Sequence, residues 1–437
     1  MNSLRDRFLL LDSRVVESTK NAKLTVGTVK KNENNPLFGE DKPWEKRFDN
    51  LYGNIIYDEE ENLYKCWYSP FIVDLSARGM TLEERNSPYP IPKDREMGIC
   101  YAISKDGITW QKPDLGLVDY KGNKKNNILW RGPHGAGIFK DKFDSDHARR
   151  YKAIYSGLSV SVSADGILWR EPIACEGVDV AGDTHNNAFF APTLRKYVGI
   201  TRTWEEKVGR QVARIESEDF VHWSKEEVVM EGISKNLQPY AMPVFFHAGV
   251  YLGLVAIHQQ DSDRVWTELA WSPDTKLWQR ISPGTPLIPV SEEEMYYDWG
   301  CVYAAAGPIF LEDEIRLYYE GSDGLHFGWR KGFLCLATLR PDGFACYEQQ
   351  SEEAQAMITT VPIDFAGQLL QVTADVEKRG AIKVTVLDTE GNKISAAEVE
   401  TTVTDSPLQL NKDIKEDRIQ LKFELSKAKL YAFSFGN

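Results

Sequence analysis

Short runs of alternating apolar and polar residues follow one another along most of the chain, each closed by a polar turn. "YGNIIYD" (Tyr52 to Asp58), "LYKCWYSP" (Leu63 to Pro70) and "MGICYAISKDGITW" (Met97 to Trp110) form the first set. A period of two sends alternate side chains to opposite faces of an extended chain, so each run predicts a β-strand. The set recurs. "GAGIFKD", "RYKAIYSG" and "LSVSVSADGILW" make a second. "NNAFFAP", "KYVGITRTW" and "RQVARIESEDFVHW" make a third. The fourth is "AMPVFFHAGVYLGLVAIH" with "WTELAWSPDTKLW", and the fifth is "AAAGPIFLEDEIRLYYEG" with "GFLCLATLRPDGFACY".

Each set carries one related turn: "SKDGITW", "SADGILW", "SEDFVHW", "SPDTKLW" and, more degenerate, "LRPDGFACY". Asp and Gly tolerate the backbone angles of a tight turn, and the Ser and Asp side chains can bond its amides. Five units of four antiparallel strands predict an all-β chain built as a five-bladed β-propeller, because one blade cannot bury both its faces alone. The turns themselves are therefore scaffold. After Tyr347 the texture changes to Val-, Thr- and Ile-rich strands without the repeat, which predicts an appended C-terminal β-sandwich. The expected division is 1–45 as a segment that wraps the propeller or closes its ring, 46–347 as the propeller, and 348–437 as the sandwich.

Composition narrows the function. A net charge of −13 disfavours nucleic acid and anionic membranes as partners, since both need basic surfaces. No apolar run has the length of a membrane span, and the N-terminal stretch does not read as a signal peptide. The six cysteines include no CxxC pair and four lie in apolar runs, so reduced buried thiols and a cytoplasmic location are expected. Twelve Trp and 19 Tyr supply stacking surface for sugar-like ligands.

In a propeller the first strand of each blade lines the central channel and the second runs back antiparallel to it. Residues before first strands and at the ends of second strands therefore share one mouth. The former offer Asp49, His134, Asp183, His185, Asn186, Tyr240, Asp298 and Trp299. The latter, aligned on "YKCWYS", "YKAIYS", "YVGITR", "YLGLVA" and "IRLYYE", place Arg202 and Glu320 where other blades have Ser or Ala. His258 and His326 follow nearby. Acids, an arginine and aromatics in a funnel suit a polyhydroxylated ligand. Glycoside hydrolysis needs one carboxyl as proton donor and another as nucleophile or base. Asp183 and Glu320 are the favoured acids, with Asp49 as a further catalytic carboxylate. His185, Asn186, Arg202, Asp298, Trp299, Tyr240, His134, His258 and His326 are expected to bind a carbohydrate substrate. No redox cofactor is expected. A cation on the propeller axis is compatible with the converging acids and histidines, although no metal-ligand spacing is visible.

The propeller–sandwich order, with runs such as "RYKAIY", "DTHNNAFF", "ESEDFVHW" and "LATLRPDGF", resembles glycoside hydrolase family 32 and, more broadly, the family 43 furanosidases. That resemblance implies a glycosidase acting on a furanoside or a modified sugar. The family motifs are not cleanly matched. Where family 32 has N-D-P-N-G, with the Asp as nucleophile, this chain has "FDNLYGN" and Asp49 out of register. Its R-D-P is replaced by "GPHGAG" with His134, and its Glu-Cys acid/base by "GDTHNN" with Asp183 and His185. The other reading open at this point is a carbohydrate-binding propeller that has lost the hydrolase chemistry.

Overall fold

A computed structural model describes residues 7–48 and 50–436. The first four-stranded unit is Asn54–Asp58, Leu63–Tyr68 and Glu96–Ser104, with Trp110–Gln111 and Ile128–Arg131 sharing the outer edge. Blade two is Gly137–Lys140, Tyr151–Tyr155, Ser159–Ser163 and Ile173–Ala174. Blade three is Asn187–Ala191, Lys196–Glu205, Gly209–Ser217 and Glu227–Met230. Blade four splits its first strand into Leu237–Ala241 and Val244–His247, then continues through Val250–Gln259, Arg264–Ser272 and Gln279–Arg280. Blade five has Cys301–Ala304, Ile315–Ser322 and Gly332–Leu339. Its outer strand comes from the other end of the chain: Lys30–Lys31 and Phe38–Gly39 pair with Gly332–Leu339. The chain is thus a five-bladed β-propeller followed by a β-sandwich.

The repeated turn has the chemistry its sequence suggests. Ser104 Oγ accepts from the Gly107 amide at 2.9 Å, while Asp106 Oδ1 accepts from Ile108 and Thr109 at 2.8 and 2.7 Å. Those amides, Thr109 first, hold the Asp106 carboxyl down at about 2. Gly107 and Gly166 supply the left-handed angle the turn requires; in blades three and four Phe220 and Thr275 adopt it instead. The turns of blades one, two and four also dock a neighbouring blade. Tyr318 of blade five donates to Gly107 O at 2.9 Å, and Trp67 of blade one donates to Gly166 O at 2.7 Å. Arg214 of blade three donates to Thr275 Oγ1 at 2.7 Å.

Buried ion pairs pin the blades as well. Lys65 and Tyr151 both meet Asp58 Oδ2, at 3.0 and 2.5 Å, across the first blade boundary. Lys152 and Tyr197 repeat the arrangement on Asp141 at 3.0 and 2.7 Å across the second. These lysines come from the "YK" that opens both second strands.

The sandwich is built on two long paired strands, Leu369–Leu387 and Arg418–Gly436, whose Val372, Val384, Leu421, Phe423 and Phe433 form a core separate from the blades. It recruits segments that local sequence does not assign to it. Arg7–Leu9, Val16–Lys20 and Ala22–Val26 all pair within its sheet. So does Ala345–Gln349, which the fifth repeat suggested as a blade strand. Its turn residue Asp342 accordingly meets Arg7 and Thr373 and not a neighbouring blade turn. The six cysteines are buried and unpaired.

Candidate functional site

The first strands open at one mouth of the ring and the second strands end there. On the axis, His185 Nε2 lies 3.2 Å from Asn54 Oδ1, and the same oxygen accepts from the Ile138 amide at 3.0 Å. Asn54 Nδ2 donates to Ala136 O at 2.6 Å. His185 is only 2% exposed, and burial holds its pKa down at about 3, so the ring is neutral. Asn186 is fully buried; it donates to Gly135 O and Gly182 O and accepts from Thr201. Gly135 must lack a side chain, because a Cβ there would lie 2.0 Å from Thr184 O. The polar run "GDTHNN" thus serves the converging backbones of the axis, whose amides and carbonyls have no ladder partners. His185 and Asn186, expected from the sequence to bind substrate, are both buried in this network.

Above them lies a floor of tyrosines. Asn50 Nδ2 donates to the hydroxyls of Tyr52 at 2.8 Å and Tyr240 at 3.3 Å, and its Oδ1 accepts from Arg330 at 2.9 Å. Asn50, Leu51 and Tyr52 all have positive φ, at 60°, 50° and 46°. Left-handed angles in non-glycine residues cost roughly 1–3 kcal/mol each and persist where surrounding contacts impose them. Asp49, which precedes them, lies outside the described residues. Tyr303 Oη lies 2.7 Å from His326 Nδ1, and Arg330, which can only donate, lies 3.4 Å from the same nitrogen, so Nδ1 accepts and the neutral ring carries its proton on Nε2. Burial and Arg330 keep His326 well below its ordinary pKa.

One carboxylate stands in the open. Asp183 is 61% exposed; its Oδ1 accepts from His134 Nε2 at 3.1 Å and its Oδ2 from Arg202 at 3.0 Å. The His134 bond, with Arg202 behind it, holds this carboxyl down at about 2. His134 is steadied in turn by Ser156 Oγ, 3.2 Å from Nδ1. The Arg202 guanidinium lies 4.6 Å from the centre of the Tyr240 ring and that of Arg210 lies 5.3 Å from it.

The remaining sequence candidates fall elsewhere. Glu320 is buried at the end of its strand, paired across the ladder with Tyr303; its Oε1 accepts from Ser322 at 2.8 Å. Gly332 leaves it room, since a Cβ there would approach Oε1 to 2.9 Å. His258 is fully buried between Asp263 and Gln260, each at 2.9 Å, and stands behind His326. Asp298 is buried against Lys31 at 2.6 Å, Tyr319 at 2.8 Å and Ser291, where it ties the N-terminal closing strand to blade five. Trp299 lies half-buried at the boundary of blades four and five, under the Arg264 guanidinium at 5.2 Å.

Several residues of the mouth were not among the sequence candidates. Tyr52, Tyr303 and Arg330 are in loops or face inward from strands. Arg210, Trp204, Lys207 and Lys235 line a groove of about 470 Å³ with Arg202. The signal for these was strand length: "KYVGITRTWE" outruns the second strands of blades one and two, so its hairpin continues past the mouth. Among the described residues no group of three or more His, Cys, Asp or Glu is arranged to hold a metal ion.

No protein-family model matches the chain, and no curated protein matches it. Solved structures do. An N-acetylgalactosamine deacetylase from F. plautii, in complex with blood group B trisaccharide, is similar over 74% of this chain and 96% of its own, at 12% identity and a TM-score of 0.49. A glycoside hydrolase family 43 arabinoxylan arabinofuranohydrolase from Bacillus subtilis is similar over 92% and 97%, at 10% identity and a TM-score of 0.45. The α-L-arabinofuranosidase PaAbf62A from Podospora anserina is similar over 72% and 98%, at 14% identity and a TM-score of 0.47. Family 32 is not among the three, and at such identities no residue is carried across.

Proposed function

We propose that the protein is a glycoside hydrolase that acts at this mouth on a furanoside or a modified-sugar glycoside. The observation that carries the reading is Asp183: an exposed carboxylate at the propeller mouth, held ionised by His134 and Arg202 above a tyrosine floor. With its pKa near 2 it is a base or nucleophile at neutral pH and not a proton donor. Glu320, buried at the end of the second strand of blade five, is the proposed donor. Asp49 is the third carboxylate of the proposal. Arg202 and His134 orient Asp183, and Tyr240 offers its ring and hydroxyl to the sugar.

The test is a hydrolysis screen of aryl glycosides and oligosaccharides, furanosides included, with wild type beside Asp183→Asn and Glu320→Gln. Turnover that either change lowers by about a hundredfold or more supports the reading. Turnover that neither change affects refutes the assignment.

A second reading is a carbohydrate-binding propeller without turnover. One observation favours it: of the carboxylates picked from the sequence and described in the structure, Glu320 and Asp298 are buried and Asp183 alone is exposed. That reading requires sugars to raise the melting temperature while the whole screen stays silent.

A further inference from the structure

We infer that the groove above the mouth holds an oxyanion borne by the sugar, a carboxylate, sulfate ester or phosphate ester, between Arg202 and Arg210. This rests on the carbohydrate reading above and adds the substrate class. The strands Lys196–Glu205 and Gly209–Ser217 pair as a hairpin, with Trp204 opposite Arg210 and Arg202 opposite Val212. Side chains two apart share a face, so Arg202, Trp204 and Arg210 project from the same side of the hairpin. Both guanidinium groups converge on one ring, that of Tyr240.

Their charges are not balanced. Asp183 answers Arg202 through one nitrogen, and Arg202 Nη1 is buried without a hydrogen-bond acceptor. Arg210 has only the neutral amide oxygen of Gln238, at 3.1 Å, as its side-chain acceptor. Lys207 and Lys235 add two further cations to the same groove, against Glu206 as its one acid. The chain as a whole carries a net charge of −13, so a local excess of positive charge is not a by-product of composition. Holding two arginines together without a second carboxylate costs repulsion, which an oxyanion relieves while accepting charge-assisted hydrogen bonds from both. Arg202 already draws the basicity of Arg210 down, as burial does. Trp204, 63% exposed on the same face, presents an apolar ring against which a sugar can stack. A sugar on Trp204 that carries an oxyanion satisfies both features at once. Inorganic phosphate alone would leave Trp204 unused.

The experiment is titration calorimetry at low ionic strength with D-glucuronate, D-glucose 6-sulfate, D-glucose 6-phosphate, D-glucose and inorganic phosphate. At least one acidic sugar should bind about tenfold or more tightly than glucose, and Arg210→Gln should remove most of that preference. Trp204→Ala should weaken all sugars alike and leave the preference in place. If Arg210→Gln does not melt cooperatively, the Lys207→Gln/Lys235→Gln double variant, altered only at exposed positions, should lower the preference about threefold by weaker steering. Glucose binding as well as every acidic sugar, or a preference that survives both variants, overturns the inference and leaves the glycosidase reading intact. Inorganic phosphate binding as tightly as the acidic sugars overturns the sugar-borne part and marks a free-oxyanion site. A protein that binds none of the sugars, and is silent in the hydrolysis screen, overturns the carbohydrate reading and this inference with it.

Discussion

The axial histidine makes the propeller sensitive to mild acid, by an amount that can be worked out. His185 is sealed beneath the floor, and burial lowers its pKa from 6.5 to about 3. The unfolded chain therefore binds a proton at pH values where the folded chain refuses it. Between pH 6.5 and 3 stability rises with pH; it is fully present above about 6.5 and is lost as the solution is acidified through that window. Integrating the two titrations gives a loss of about 2 kcal/mol between pH 7 and pH 5, and on the order of 5 kcal/mol by pH 3. The perturbation is His185→Gln, which keeps a donor for Asn54 and removes the titration. The assay is urea denaturation of both proteins at pH 7 and pH 5, followed by tryptophan fluorescence. Other titrating groups act equally in both proteins and cancel in the comparison. Wild type should lose about 2 kcal/mol more than the variant over that interval. Equal losses in the two proteins would refute the argument that a neutral, buried His185 closes the axis.

Glu40 should give the opposite slope: burial raises its carboxyl to about 7 against the amides of Phe48 and Gly332, so wild type should lose on the order of 3 kcal/mol between pH 4.5 and 7 that Glu40→Gln does not, by the same denaturation assay. Asp298→Asn should cost about 2–4 kcal/mol by leaving Lys31 without its carboxylate, yet leave sugar affinity unchanged in calorimetry; a loss of affinity would return Asp298 to the mouth. Tyr151→Phe removes the hydroxyl that bonds Asp58 and Lys65 between blades one and two and should cost about 1–3 kcal/mol by thermal melting. Gly332→Ala would bring a Cβ to 2.6 Å from that of Phe48 and 2.9 Å from Glu320 Oε1; a fall in stability of roughly 1–3 kcal/mol is expected, with activity lost if Glu320 is the donor.

The blades were legible because the information for them is local and repeated. Alternation gives the strands, and Ser104 and Asp106 or their equivalents give the turn within a few residues. What could not be read locally is where chain ends go. Lys30–Lys31 and Phe38–Gly39 complete a blade whose other strands lie some 300 residues later, and neither short run has an alternation long enough to announce itself. The setting of Asp298 has the same origin. An Asp before a first strand looks like a mouth residue by register, but here it answers Lys31 in the borrowed strand. Register did place Asp183, His134, Arg202 and Tyr240 together. It could not separate them from His185, Asn186 and His258, because depth below the mouth is set by packing around the axis and not by position along a strand. Arg210 lies outside that register, because it belongs to the third strand of its blade.

The electrostatics of the mouth constrain the chemistry more tightly than the fold does. Asp183 accepts a hydrogen bond from His134 and lies among the guanidinium groups of Arg202 and Arg210, and each of these favours its ionised form. A donor with a raised pKa needs the reverse: burial, or another carboxylate, with cations held off. Two carboxyls with separated tasks occupy two environments, and in the proposed hydrolase Asp183 takes the basic role. This divides the outcomes of substitution. Asp183→Asn removes a nucleophile or base, so an added nucleophile such as azide should restore turnover of an activated aryl glycoside if a covalent or water-activating role is lost. Loss of the donor instead leaves substrates with good leaving groups nearly unaffected and silences poor ones. Applying both diagnostics to Asp183 and Glu320, together with the anomeric configuration of any glycosyl azide formed, assigns the roles. Azide rescue at Glu320 with leaving-group dependence at Asp183 would reverse the assignment, and would mean that the cation cluster does not control the charge of Asp183 during the reaction.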